Sequence, residues 1–286
     1  MKKAILSVWL FLVATALAYP QLVTFKLTGG LAWIDGDDYN RGIVGENKHV
    51  RGTAETTSGA FKELNRGMNF LAEVIVHLNS HLGIGFGGGY YRLSNESTVR
   101  SQGVLEDIPF DSTSTYKPSL SSIPLFVNLH YMTRAVSRLG FDIYAGPLFQ
   151  VVQFSFENPS TTTVLSASQT VTYTASVTTL GALAGFGLSF RIFPGIALTA
   201  EGSYRYGKVS NLKGNWAVIG TSDSGPFNKS SAEYYLWVYD DNSGGTYTRI
   251  GFFDVNGPAG DTVSGMRKAD INLSGFTATA GLRIYF

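Results

Sequence analysis

Apolar side chains alternate with polar or glycine residues in eight segments of the chain. In the first segment, Leu22–Trp33, the odd positions are apolar or glycine, whereas Thr24, Lys26 and Thr28 fill even positions. A period of two is typical of β-strands, because successive side chains point to opposite faces. The other segments run over residues 68–76, 82–90, 123–131, 139–151, 180–192, 196–206 and 276–286. The chain is therefore predicted to be all-β.

The connections between these segments alternate strictly in length. The long ones are Ile34–Arg66, Asn95–Ser121, Ser155–Thr178 and Val209–Ala269, and the short ones are 79–80, 133–138 and 193–195. A soluble β-sandwich also alternates apolar and polar residues, but nothing in its fold requires long and short loops to alternate along the chain. Short periplasmic turns, long outer loops and an even strand count are typical of outer-membrane barrels. We predict a closed antiparallel up-and-down transmembrane β-barrel of eight strands, with long extracellular loops and both termini periplasmic.

A ten-stranded barrel is the alternative to this count. Within the last long connection, Tyr234–Tyr239 and Tyr247–Phe253 flank a turn that contains Gly244 and Gly245. Each run has six or seven residues, whereas a tilted membrane strand needs about nine to eleven. We therefore interpret this pair as an extracellular hairpin that prolongs the barrel wall.

The first residues have the pattern of an export signal. Lys2 and Lys3 precede an apolar run that ends in Ala16-Leu17-Ala18, which is typical of a secretory signal peptide with its cleavage site. We predict a signal peptide over residues 1–18 and a barrel domain over residues 19–286. No later run has about 18 apolar residues, so helical membrane spans are excluded.

Composition excludes several other classes. Charged residues make up 15% of the chain, against about 25% in ordinary soluble domains, which suits a surface in contact with lipid. Cysteine is absent, so disulfides and thiolate metal sites are excluded. No basic stripe indicates nucleic acid as a partner.

The inward face of the predicted barrel carries charged residues. An eight-stranded barrel is filled by its own side chains, so buried charges there must compensate one another. Register places Lys26 beside Glu73 and Asp142 beside Arg191, while Glu201 and Arg205 reach Arg283 or one another. The predicted lumen charge network comprises Lys26, Glu73, Asp142, Arg191, Glu201, Arg205 and Arg283. We interpret it as a plug; a gate or narrow ion path is the alternative.

Aromatic residues lie near the ends of the predicted strands. Amphipathic rings prefer the headgroup level of a membrane. The predicted aromatic girdle comprises Trp33, Tyr90, Tyr131, Tyr204 and Tyr206.

The final segment carries a family resemblance. Phe286 is preceded by the apolar residues Ile284 and Leu282 on one face, and this resembles the terminal signal that the barrel-assembly machinery recognises. Together with the leader and the eight segments, the chain resembles the OmpA-like, OmpX-like and OmpW-like small outer-membrane barrels. The resemblance implies two partners, outer-membrane lipid and the barrel-assembly machinery.

The sequence does not indicate catalytic chemistry. Topology places His77, His81 and His130 near the periplasmic end and only His49 in an outer loop. A lone histidine shows no partner for general acid–base work, and no third metal ligand is indicated. We expect no catalytic residues, no cofactor, no metal and no enzyme activity.

The sequence is compatible with three functions. The first is a non-catalytic barrel whose surface-exposed loops serve envelope integrity, adhesion or binding of an unidentified external partner, since such loops carry function in scaffolded proteins. The second is a narrow pore or a channel for small hydrophobic compounds, as the OmpW-like resemblance suggests. The third is an enzyme that modifies lipids of the outer leaflet, with His49 as its best candidate residue.

Overall fold

The structure, a computed structural model, describes residues 23–105, 107–135, 137–163, 167–242 and 245–286. The predicted signal peptide over residues 1–18 lies outside the described residues. Helix α1 spans Asp37–Thr53. The strands are β1 (Val23–Trp33), β2 (Thr56–Gly59), β3 (Arg66–His77), β4 (Leu82–Ser94), β5 (Ser97–Leu105), β6 (Ile108–Arg134), β7 (Leu139–Thr162), β8 (Ala167–Phe193), β9 (Ile196–Val209), β10 (Lys213–Ser222), β11 (Gly225–Asp241), β12 (Tyr247–Phe253), β13 (Val263–Lys268), β14 (Ile271–Asn272) and β15 (Gly275–Tyr285).

Eight strands form a closed ring in which every neighbouring pair is antiparallel. The order is β1, β3, β4, β6, β7, β8, β9, β15 and back to β1. The ring closes where Phe25 of β1 lies opposite Ile284 of β15. The predicted closed eight-stranded barrel is thereby confirmed, and the ring leaves no strand edge unpaired.

The two ends of the ring differ. At one end, which we call the turn end, short connections join β3 to β4, β6 to β7 and β8 to β9. The first residue of β1 and the last of β15 also lie at the turn end. The opposite end, which we call the loop end, carries the four long connections.

The long connections are largely folded, whereas the sequence pattern predicted only one hairpin within them. Strands β6, β7 and β8 have 27, 24 and 27 residues, more than twice the length that spans a membrane. Strands β10 and β11 add to the projecting part of β8. The predicted hairpin is formed by β11 and β12, with Tyr235 opposite Phe253, and it extends the sheet beyond the ring.

The strands reverse their polarity as they leave the membrane. On β7, the outward side chains Ile143 and Phe149 are 62% and 39% exposed, which suits contact with lipid. Beyond Val151, outward positions carry polar residues such as Gln153, while the inward Phe154 is buried. The outward apolar belt therefore ends near Val151, and the projecting part has the inside-apolar pattern of a water-exposed sheet.

Helix α1 lies within the loop end. Gly36 precedes it with a φ of 73°, a conformation that glycine adopts without strain. Asp37 and Asp38 in the first turn and Arg51 in the last turn complement the helix dipole. No helix in the described part of the chain is long and apolar enough to cross a membrane.

Candidate functional site

A compact ionic cluster fills the lumen near the turn end. Because strand side chains alternate between faces, one inward residue from each of six ring strands reaches the barrel axis. We call this cluster the ionic plug; its members are Lys26, Glu73, His130, Asp142, Glu201 and Arg283. Each is at most 6% exposed, so the charges face one another rather than water.

Two cations link the three carboxylates. Lys26 Nζ lies 2.6 Å from Glu73 Oε2 and 3.1 Å from Glu201 Oε2. Arg283 forms an ion pair with Asp142, and its Nη2 lies 3.2 Å from Glu201 Oε1. Glu201 therefore joins the two halves of the ionic plug. The neighbouring register of Lys26 and Glu73 matches the prediction.

His130 occupies the centre of the ionic plug, a role that its position in the sequence did not indicate. Its Nε2 lies 2.8 Å from Glu73 Oε1, and its Nδ1 lies 3.0 Å from Asp142 Oδ1. Carboxylates accept hydrogen bonds but do not donate them. Each of the two ring nitrogens must therefore carry a proton for both contacts to be hydrogen bonds. This geometry fits an imidazolium that balances the third carboxylate.

Neutral side chains complete the packing around these charges. The Tyr144 hydroxyl donates to Glu201 Oε2 at 3.2 Å, and Asn128 Nδ2 donates to Glu73 Oε1 at 3.1 Å. A Cβ on Gly85 would collide with the carboxylate of Glu73 and the ring of His130. Glycine at this position of β4 therefore makes room for the ionic plug.

Two predicted members lie outside the ionic plug. The predicted pairing of Asp142 with Arg191 is wrong: Asp142 binds Arg283, and the Arg191 guanidinium lies 5.1 Å from the centre of the Tyr285 ring. Arg205 contacts neither Glu201 nor Arg283 among the described residues; its Nε donates to the carbonyl oxygen of Leu273. Arg205 follows Glu201 by four residues on β9, about 13 Å farther toward the loop end.

The residues predicted for the membrane interface point outward. The girdle residues Trp33, Tyr90, Tyr131, Tyr204 and Tyr206 are all exposed. In β15, Leu282 is exposed and Ile284 is partly buried. The exposed Phe286 directly follows β15 and donates its backbone N–H to the carbonyl oxygen of Val23.

A second closure lies at the loop end. Inward apolar residues of the projecting strands pack around α1 in one hydrophobic cluster. Tyr39 and Ile43 of α1 are at most 2% exposed, and the Tyr39 ring meets Phe154 edge to face at 5.6 Å. Burial raises the pKa of Tyr39. We call this cluster, including α1, the apolar plug.

Two arginines hold α1 in the apolar plug. Arg249 of β12 binds Glu46 in bidentate fashion, with N–O distances of 2.9 and 3.2 Å, and also binds Asp241 at 2.8 Å. Burial lowers the pKa of Arg249, but the carboxylates of Glu46 and Asp241, together with Tyr239, more than offset this and the net pKa is raised. At the other end of the helix, Arg267 pairs with Asp38.

The remaining histidines occupy peripheral positions. His49, the candidate of the enzymatic alternative, lies on α1 with its ring 5.6 Å from that of Tyr247. Burial and the nearby Arg249 lower the pKa of His49. At the turn end, His77 hydrogen-bonds Thr24 at 2.7 Å, and His81 stacks on Tyr131. Within the described residues, no group of three or more His, Asp or Glu side chains has the arrangement of a metal site.

The ring, its outward apolar belt and its filled lumen define a transmembrane β-barrel. The family of outer membrane protein beta-barrel domains matches residues 46–210, and the chain belongs to this family. The predicted resemblance to outer-membrane barrels is thereby confirmed, and the chain is an outer-membrane protein.

Comparison with solved structures gives distant similarities. A major outer membrane protein from Thermus thermophilus is 12% identical, with 92% of this chain and 99% of that chain covered and a TM-score of 0.36. The outer membrane protease OmpT from Escherichia coli is 10% identical, with 93% and 97% covered and a TM-score of 0.27. A search of curated protein sequences finds no match.

Proposed function

We propose that the protein is a non-catalytic outer-membrane barrel that does not conduct and presents a folded surface to the exterior. Its role is envelope integrity, adhesion or binding of an external partner. The two stacked closures carry this proposal, because the ionic plug and the apolar plug both lie across the axis that a solute would follow. Small barrels of eight strands leave room for little more than side chains.

The orientation follows from the lengths of the connections. We place the turn end and both termini in the periplasm and the loop end outside the cell, as in other barrels with short turns and long loops. The projecting strands β6, β7 and β8 then lie beyond the outer leaflet. The predicted external partner would meet this surface, since binding residues concentrate in such connections.

Conductance tests the closed lumen. The chain refolded into a planar lipid bilayer should give only small or rare openings, because both plugs must move before ions pass. A wide porin in the same bilayer provides the positive control. Steady openings of uniform size would contradict the proposal and favour the narrow pore.

The same refolded protein tests the enzymatic alternative. Vesicles that contain lipid A should keep an unchanged lipid mass spectrum after incubation, since the charged groups of the ionic plug are already paired with one another. A new lipid A species would contradict the non-catalytic proposal. It would direct attention to His49, whose replacement by Gln should then abolish the product.

The last strand is proposed to contact the barrel-assembly machinery. Leu282 and Phe286 point outward and are 42% and 49% exposed. Phe286→Ala should lower the fraction of chain assembled in the outer membrane severalfold, measured by heat-modifiable mobility on gels. Phe276→Ala is the matched control, because Phe276 is 65% exposed on the same face of β15 but lies at its loop end. Equal assembly of the two variants would contradict a terminal signal.

A further inference from the structure

A second polar layer adjoins the apolar plug on the side of the ionic plug, and Tyr91 belongs to both. Its inward side chains are Asn69, Tyr91, Ser122, Gln150 and Arg205, each at most 3% exposed. Asn69 lies opposite Tyr91 across β3 and β4, and Tyr91 lies opposite Ser122 across β4 and β6. We call these five residues the middle layer.

Contacts across the lumen bring the middle layer together. The Arg205 guanidinium on β9 lies 4.0 Å from the centre of the Tyr91 ring on β4. The amide nitrogen of Gln150 on β7 would lie 2.7 Å from a Cβ placed on Gly207, two residues after Arg205 on the same face. Arg205 therefore meets Tyr91 across the lumen, and Gln150 reaches the face of β9 that carries Arg205.

Many polar atoms of the middle layer have no protein partner. Among the described residues, no hydrogen bond is made by the side-chain oxygen and nitrogen of Asn69 and of Gln150 or by Arg205 Nη2, whereas the hydroxyls of Tyr91 and Ser122 hydrogen-bond each other. Buried polar atoms nearly always have a partner in native proteins. Three buried side chains of this kind at one level indicate a bound species rather than a local packing fault.

The charge balance indicates the sign of that species. In the ionic plug, three carboxylates face Lys26, Arg283 and the doubly hydrogen-bonded His130, so that cluster is neutral when His130 is protonated. Arg205 has no carboxylate within 4.0 Å in the described part of the chain. A buried charge without a counter-charge is strongly unfavourable, so Arg205 is the surplus cation of the lumen.

We propose that the middle layer binds a small inorganic anion of the halide class. Arg205 Nη2 supplies the counter-charge, and the amides of Asn69 and Gln150 supply further donors. Water could satisfy these donors but could not neutralise Arg205. The five side chains are at most 3% exposed, and so enclosed a site favours a small ion over a bulky one. This site is independent of the role proposed for the loop end.

Bromide provides a direct test. The full chain is refolded and crystallised in sodium bromide, and anomalous scattering is recorded at the bromine edge. The expected result is an anomalous peak in contact with Arg205 Nη2. Water density without anomalous signal in the middle layer, or bromide bound only at the protein surface, would overturn the proposal.

Thermal unfolding gives a second readout. Because a ligand that binds only the folded state stabilises it by mass action, protein refolded in bromide should melt several degrees higher than protein refolded in gluconate at equal ionic strength. Arg205→Met should lose this difference, whereas Arg92→Met, which removes an exposed arginine of β4, should keep it. Identical melting of the natural chain in both salts would overturn the site, even if Arg205→Met fails to fold.

Discussion

Lys26→Met is expected to lower the free energy of unfolding by about 3–5 kcal/mol, the usual effect of removing one partner from a buried ion pair. Lys26 stands between Glu73 and Glu201, at 2.6 and 3.1 Å from their carboxylate oxygens. Without it, two buried carboxylates lose their shared cation, and the ionic plug carries a net charge of −1. Urea unfolding of the refolded protein in lipid vesicles measures the difference.

Two further variants show whether charge balance is the cause. Lys117→Met removes a lysine whose ion pairs with Glu96 and Glu157 are exposed and long, at 3.8 and 4.0 Å, so its effect should stay below about 1 kcal/mol. Adding Glu73→Gln to Lys26→Met restores neutrality and should recover part of the lost stability. If Lys26→Met and Lys117→Met unfolded at the same urea concentration, the ionic plug would not stabilise the barrel.

The membrane-embedded ring was predictable from sequence because its period of two is simple and repeated. Residues such as Ile143 and Asp142 must point to opposite faces once β7 is recognised as a strand. The strict alternation of long and short loops then indicated the topology. The adjacent positions of Lys26 and Glu73 followed from counting residues up from the turns. Contacts across the lumen were not available from such counting, since they depend on side-chain reach and barrel diameter. The pairing of Asp142 with Arg191 failed earlier, at the register of neighbouring strands, because Asp142 lies opposite Gly187 and Arg191 is four residues nearer the turn end.

The role of His130 was missed for a related reason. Its inward position was visible in the alternation of β6, but its two carboxylate partners come from β3 and β7. The alternation of β6 places both Asn128 and His130 inward, and this pair of inward polar residues could have indicated that His130 belongs to the charge network. Arg205 was instead included in the charge network wrongly. Its inward orientation was predicted correctly, but it lies too far along β9 from Glu201 for the two side chains to pair.

The folded loop end could not be predicted from the alternation of the membrane segments. Beyond Val151 the lipid no longer selects the outward face, so β7 continues with Gln153 outward and Phe154 inward. A search of the sequence for strands with outward apolar residues therefore does not detect the projecting parts. Helix α1 was hidden in a polar, glycine-containing connection because five of its seven buried residues are polar or glycine, namely Asp38, Asn40, Gly42, Gly45 and Glu46.

Gly45→Ala should release α1 from β12, although alanine normally stabilises a helix relative to glycine by about 0.5–1 kcal/mol. A Cβ on Gly45 would overlap the backbone carbonyl oxygen of Thr248, which cannot rotate away as a side chain could. Overpacking of this kind costs about 1–3 kcal/mol. If amide exchange follows local opening of the helix, the amides of Asp37–Thr53 should then exchange about 5 to 150 times faster. Hydrogen exchange with mass spectrometry measures this rate.

Gly52→Ala is the matched control for this substitution, because its Cβ would meet first the hydroxyl at the flexible end of the Tyr247 side chain. Exchange in α1 should then be unchanged or slower. In Gly45→Ala, the ring strands should keep their protection and the bilayer conductance should stay low, since the ionic plug lies toward the turn end and shares no ion pair with α1. A steady current from Gly45→Ala would show instead that the apolar plug alone closes the barrel, while unaltered exchange would show that α1 does not depend on close contact with β12.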